Sequence, residues 1–129
     1  MASYNSYQEM EVFKLAREII DDVWQLIRYS PLGSDYELRN QINASSGSIM
    51  DNIAEGYGRG GNKEFINFLG YARGSCSETE SQLLRSFHRE HISKEELDKM
   101  TAKTQNCINQ ISKFILYLKR TDKKGSKFD

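Results

Sequence analysis

Proline occurs once in 129 residues, at Pro31, and strand-like alternation of apolar and polar residues is scarce. With so few breakers and so much Glu, Lys, Leu, Ile and Gln, the composition excludes a β-rich fold and favours long helices. Cysteine is nearly absent as well. Cys76 and Cys107 stand alone, with no C-x-x-C pair, so the spacing offers no zinc or dithiol motif and the two thiols read as small core residues. No run approaches the ~18 consecutive apolar residues of a membrane span. The segment Met1-Ala2-Ser3-Tyr4-Asn5 has neither a basic region nor an apolar stretch, so no signal peptide is expected and the cytoplasm is the expected compartment. Net charge is missing too: 18 Lys and Arg balance 18 Asp and Glu. A strongly basic chain would announce a nucleic-acid partner through counterion release; here any polyanion site must be a local patch.

What remains is helical periodicity. The length suits one domain. Helix 1 is predicted from about Gln8 to Tyr29, its stripe comprising Val12, Ala16, Ile19, Ile20, Val23, Trp24 and Ile27. Ser30-Pro31-Leu32-Gly33 ends it, because a proline disfavours helical geometry in the residue before it. Helix 2 is predicted over 35–58, with Ser34-Asp35-Tyr36-Glu37 reading as a capping box and Leu38, Ile42, Ser45, Ile49 and Ile53 as its stripe. Helix 3 is predicted over 62–90, with Asn62 as its N-cap. The small residues Ala44 to Ser48 on helix 2 and Gly70, Gly74 and Ser75 on helix 3 predict a tight crossing between the two. Helix 4 is predicted over 94–119, opened by the capping box Ser93-Lys94-Glu95-Glu96. Matched lengths and short connections predict an all-α, antiparallel up-down-up-down four-helix bundle in residues 1–118.

Helix 4 carries two adjacent seams. One runs Leu97, Thr101, Thr104, Ile108, Ile111, Ile115 and Leu118; the other adds Met100, Cys107 and Phe114. So wide an apolar arc predicts burial on two sides, and hence contact between copies through Met100, Cys107, Phe114 and Leu118. The tail from Lys119 to Asp129 has five basic and two acidic side chains, and its composition predicts disorder.

Chemistry is harder to find. Gly56-Tyr57-Gly58-Arg59-Gly60-Gly61 matches G-x-G-x-x-G, but a dinucleotide fingerprint requires a preceding strand, and a helix precedes it here. A glycine hinge is the better reading, with Arg59 paired to Glu55 one turn back. Arg59 and Lys63 beside a helix N-terminus could hold a phosphate. Glu55, Glu78 and Glu80 form no evident acid–base pair, and His88 and His91 alone make a poor metal site. No catalytic residue, metal or cofactor is expected.

The stretch Ser48-Ile49-Met50-Asp51-Asn52-Ile53-Ala54-Glu55-Gly56-Tyr57-Gly58-Arg59 resembles the signature of the four helix bundle proteins first noticed as open reading frames in ribosomal RNA intervening sequences. The resemblance continues through Lys63-Glu64-Phe65-Ile66-Asn67-Phe68-Leu69, and through Ala72-Arg73-Gly74-Ser75 with Glu78 and Glu80. It extends to Met10-Glu11-Val12-Phe13, Tyr36 to Ile42 and Ile92 to Leu97, nearly the whole chain. Phe13 departs from a frequent tryptophan, and Cys76 from a usual aliphatic residue. The resemblance implies a bundle that assembles into a ring-like homopentamer, with Asn52, Glu55, Gly56, Gly58, Arg59, Gly74, Ser75 and Glu78 as structural motif positions. It also implies kinship with the accessory variability protein of diversity-generating retroelements, which works with a reverse transcriptase and binds nucleic acid through a basic surface.

Two functions follow as expectations. The first is a non-enzymatic oligomeric scaffold that engages another protein. The second is an accessory protein binding RNA or DNA through Arg59, Lys63, Arg73, Lys119, Arg120, Lys123 and Lys124, repeated around a ring for avidity.

Overall fold

The computed structural model describes residues 7–123. Four helices dominate it: α1 (Glu11–Tyr29), α2 (Tyr36–Gly58), α3 (Asn62–His88) and α4 (Lys94–Lys123), and no strand occurs among the described residues. Contacts across the helices fix their directions. Ser48, Ser45 and Gln41 of α2 meet Ser75, Thr79 and Arg85 of α3 in reverse order. Along α4, Thr104, Ser112 and Leu118 meet Cys76, Arg73 and Asn62 in the same reversed sense. Lys103 then ties α4 back to Glu18 and Asp22 of α1. The four helices therefore close an antiparallel square.

The boundaries follow from how each end satisfies its free N–H groups. Before α1, Tyr7–Glu9 form a 3-10 turn and Met10 is extended, so the helix starts at Glu11 rather than near Gln8. Ser34 does not cap α2 as expected. Pro31–Ser34 wind into a 3-10 turn, with Pro31 at its start where a missing N–H costs nothing, and Ser30 Oγ accepts from the Leu32 amide. That turn displaces the cap to Asp35, whose Oδ1 accepts from the Leu38 amide at 3.3 Å. Asn62 is likewise not an N-cap. Gly61 takes that position, while Asn62 turns inward and donates to the Leu118 carbonyl at 3.2 Å. The capping box of α4 forms as read: Ser93 Oγ accepts from the Glu96 amide, and Glu96 accepts from the Ser93 amide. Glu90, with φ 61°, turns the chain after α3, and the His91 amide returns to the Ser86 carbonyl.

The core is one apolar cluster drawn from all four helices. Two expectations about it fail. Trp24 is 48% exposed, because the buried line of α1 runs Val12, Ala16, Ile19, Val23 and Ile27 and Trp24 falls just outside it. The larger correction concerns α4. Met100, Cys107 and Leu118 are buried within the single chain, and Phe114 is half-buried, edge-on to Phe65 at 5.5 Å between ring centres. In an antiparallel square α4 has α1 on one flank and α3 on the other, so two adjacent seams are what its position requires. These four side chains are core, not surface awaiting another copy.

The small residues also behave unexpectedly. A Cβ built at Gly47, Gly70 or Gly74 meets nothing within 4 Å, so none of them mediates the α2–α3 crossing. Gly56 does. A Cβ there would lie 2.6 Å from Phe68 Cβ and 3.0 Å from Phe65 Cδ1. The hinge between α2 and α3 needs only one left-handed residue, Gly60 at φ 86°.

Candidate functional site

The basic side chains singled out from sequence do not form one patch. Arg59 is spoken for. Its guanidinium donates to Glu55 at 2.9 Å, lies 3.7 Å from Glu64 and covers the Phe68 ring at 4.9 Å. The Glu55 carboxylate raises the Arg59 pKa. Arg73 sits on the α3–α4 side and donates to Ser112 Oγ at 3.0 Å. It stands 11 positions from Asn62, roughly 16 Å along the helix. Lys63, Lys119 and Arg120 are exposed and share the end of the bundle where α3 begins and α4 finishes. Lys123 closes α4, and Lys124 lies outside the described residues.

Two of the family-motif positions, Asn52 and Ser75, meet at Ser48 between α2 and α3. Asn52 Nδ2 donates to the Ser48 carbonyl at 2.8 Å and to Ser48 Oγ at 3.0 Å. Ser75 Oγ donates to Ser48 Oγ at 3.0 Å, which joins the two helices. Gly56 sets their closest approach, whereas Gly58 and Gly74 face open space. Glu78 is exposed and has no partner among the described residues.

Beyond this meeting point the same two helices open into a groove of about 620 Å³, lined among others by Ala44, Ser48, Glu78, Ser81, Gln82 and Arg85. Its floor is polar and buried. Ser45 Oγ donates to Gln82 Oε1 and lies 2.9 Å from Thr79 Oγ1, which in turn donates to the Ser75 carbonyl. Gln82 is only 5% exposed, yet its amide nitrogen has no partner among the described residues. Arg85 donates through one nitrogen to Gln41 Oε1, while its Nε is buried without a partner. Sequence reading missed Gln82 and Arg85. A legible signal existed: polar residues fall on the buried register of α3 at Thr79, Gln82 and Ser86.

Among the described residues nothing else resembles a reactive centre. Cys76 and Cys107 are fully buried, and Cys76 Sγ donates to the Thr104 carbonyl at 3.4 Å. The hydrogen bond to Cys107, then burial, push the Cys76 thiol well up, away from the thiolate a nucleophile needs. Glu80 accepts from Thr104 Oγ1 and Gln105 Nε2. His91 does not pair with His88; its Nε2 lies 2.9 Å from Asp35 Oδ2, which also accepts from Arg89 at 2.8 Å. No group of three His, Cys, Asp or Glu that could hold a metal occurs among the described residues. No helix there is long and apolar enough to cross a membrane.

The geometry thus defines a four-helix bundle with a polar, open face between α2 and α3. The chain belongs to the 23S rRNA-intervening sequence protein family, whose model matches residues 8–113. A solved structure with a similar fold is that of a protein with unknown function from the S23 ribosomal protein family of Bacteroides thetaiotaomicron VPI-5482. It superposes with a TM-score of 0.73 at 24% sequence identity, covering 81% of this chain and 97% of that one. No curated protein matches the chain.

Proposed function

We propose that this protein is a non-enzymatic assembly module that forms a ring-like homo-oligomer, a homopentamer as the family resemblance implies, and offers the ring as a scaffold to another protein. One observation carries this reading. Gly47, Gly70 and Gly74 interrupt long helices, where each glycine costs about 1 kcal/mol against alanine, and nothing among the described residues uses the space they leave. A neighbouring molecule that must come close to the backbone gives them a purpose. The unpartnered Nε of Arg85, in the groove between α2 and α3, also suits a polar face that is covered in an assembly. Light scattering at micromolar concentration tests the reading. The wild type should run as an oligomer, and Gly47→Leu with Gly74→Leu should yield folded single chains. A wild type that is monomeric at every concentration would refute it.

A second reading has its own support. Lys63, Lys119 and Arg120 stand together at one end of the bundle, where a ring would repeat them. On this reading the protein binds RNA or DNA as an accessory to a nucleic-acid enzyme such as a reverse transcriptase. Affinity for a single-stranded oligonucleotide should then fall steeply with salt and drop on reversing Lys63 and Arg120. Binding that ignores salt would rule it out.

A further inference from the structure

If the assembly reading holds, the groove between α2 and α3 is a place for a neighbour to sit, and the molecule itself carries matching chemistry. The groove offers three features in register along α3: the unpaired Glu78 carboxylate, the amide of Gln82, whose Oε1 accepts from Ser45, and Arg85 with its unpartnered Nε. They are spaced by four and three residues, so they lie along one helix face. Small side chains, Ala44, Ser48 and Ser81, leave the middle of the groove low.

The outer face of α1 has the complementary relief. Arg17, Asp21 and Trp24 follow one another at the same spacing of four and three. All three are exposed, and Trp24 leaves 48% of its surface open. Arg17 and Asp21 have no partner among the described residues.

We propose that the α2–α3 groove is the docking site for α1 of a second copy of this chain, a proposal that rests on the assembly reading and deepens it. Copies related by rotation about an axis along the bundle keep their helix directions, so the incoming α1 lies parallel to α3. In that orientation one register satisfies every feature at once. Arg17 of the second copy meets Glu78, Asp21 accepts from the Gln82 amide, and the Trp24 ring lies over the Arg85 guanidinium. The opposite orientation would set Arg28 against Glu78 and Trp24 against the uncharged Gln82, so the aromatic ring would have no cation beneath it. The contact uses one face on each side, so it is head-to-tail, the kind that closes rings. It also ends the exposure of Trp24, a residue type that anchors interfaces.

Light scattering and analytical ultracentrifugation on six full-length variants test the proposal, with circular dichroism to confirm folding. Because Arg17, Trp24 and Glu78 are exposed and engaged in no ion pair within the chain, substitution should leave the fold intact. Trp24→Ala should weaken self-association by about tenfold or more. R17E and E78R should each weaken it, and the double variant R17E/E78R should recover most of the loss. R28E should have little effect. Loss of assembly on R28E, or no recovery in R17E/E78R, would overturn the register. If Trp24→Ala and both charge reversals leave the mass unchanged while Gly74→Leu breaks the oligomer, the docking proposal falls and the assembly reading stands. A monomeric wild type ends both.

Discussion

The two longitudinal faces of this bundle hold their residues by different means. Along α4, Met100, Cys107, Ile111 and Leu118 are enclosed by α1 and α3, and the surroundings are apolar. Between α2 and α3 the chain packs serines, a threonine and a glutamine and leaves a groove, and the same two helices carry three interior glycines with open space around them. The greasier helix is covered within one chain; the blander pair leaves an open, polar groove. Apolar area therefore marks what a helix buries, not which face it leaves open.

The contrast can be broken at its strongest point first. Ile111 is fully buried on α4, and Ile111→Ala removes contacts to a core that can only partly collapse around it. A loss of about 2–5 kcal/mol in urea unfolding is expected, independent of protein concentration. Gln82→Leu in the groove should cost far less by the same measurement. A concentration-dependent loss at Ile111 would place α4 in an interface after all.

Gly56 should come next. It belongs to the α2–α3 pair but works as a core residue, because Phe68 and Phe65 occupy the space a side chain would take. Phe68 Cβ is close to the backbone and cannot swing away. Gly56→Ala should destabilise by roughly 1–3 kcal/mol, read from the denaturant midpoint. A neutral result would show that α2 and α3 can separate freely at that level.

Most of the architecture was legible because it rests on periodicity. The four helices, the α4 capping box and the Arg59–Glu55 pair follow from spacing alone. The errors have a common physical origin. Periodicity reports the direction of a side chain, not how many neighbours surround it, so the arc of α4 looked wider than one chain could cover. The small residues were misassigned for a related reason. Sequence cannot tell a glycine that lets two helices touch, such as Gly56, from one that faces solvent, such as Gly74. The end of the bundle was illegible at the level of contacts, since Asp35 lies 54 and 56 positions from its partners Arg89 and His91.

That end provides a test driven by charge. Hydrogen bonds from His91 and Arg89 hold the Asp35 carboxyl down at about 2, below its ordinary 3.8. A depressed carboxylate pKa adds stability above the unfolded value and loses it as pH falls toward the folded value. The described fold should therefore weaken between about pH 4 and pH 2, partly through this residue. Asp35→Asn keeps a good N-cap but cannot gain charge, so its unfolding midpoint should fall less steeply across that window. Identical slopes for the two proteins would mean that the Asp35 cluster does not link the α1–α2 and α3–α4 connections in solution.

The smallest effect is the most informative, because its sign differs between the two states of the molecule. Alanine at position 74 has open space around it in the single chain and a backbone already helical. In a free chain Gly74→Ala should add about 1 kcal/mol to stability, the ordinary gain for an exposed helix interior. In an assembly that brings a neighbour onto the α2–α3 face, the added methyl group opposes close approach, and the oligomer should loosen as the chain stiffens. Thermal unfolding at low concentration and light scattering at high concentration read the two effects separately. A higher midpoint together with a weaker oligomer identifies a glycine kept for a neighbour's sake. A higher midpoint with an unchanged oligomer leaves the outward glycines without a purpose and shifts the interface elsewhere on the bundle.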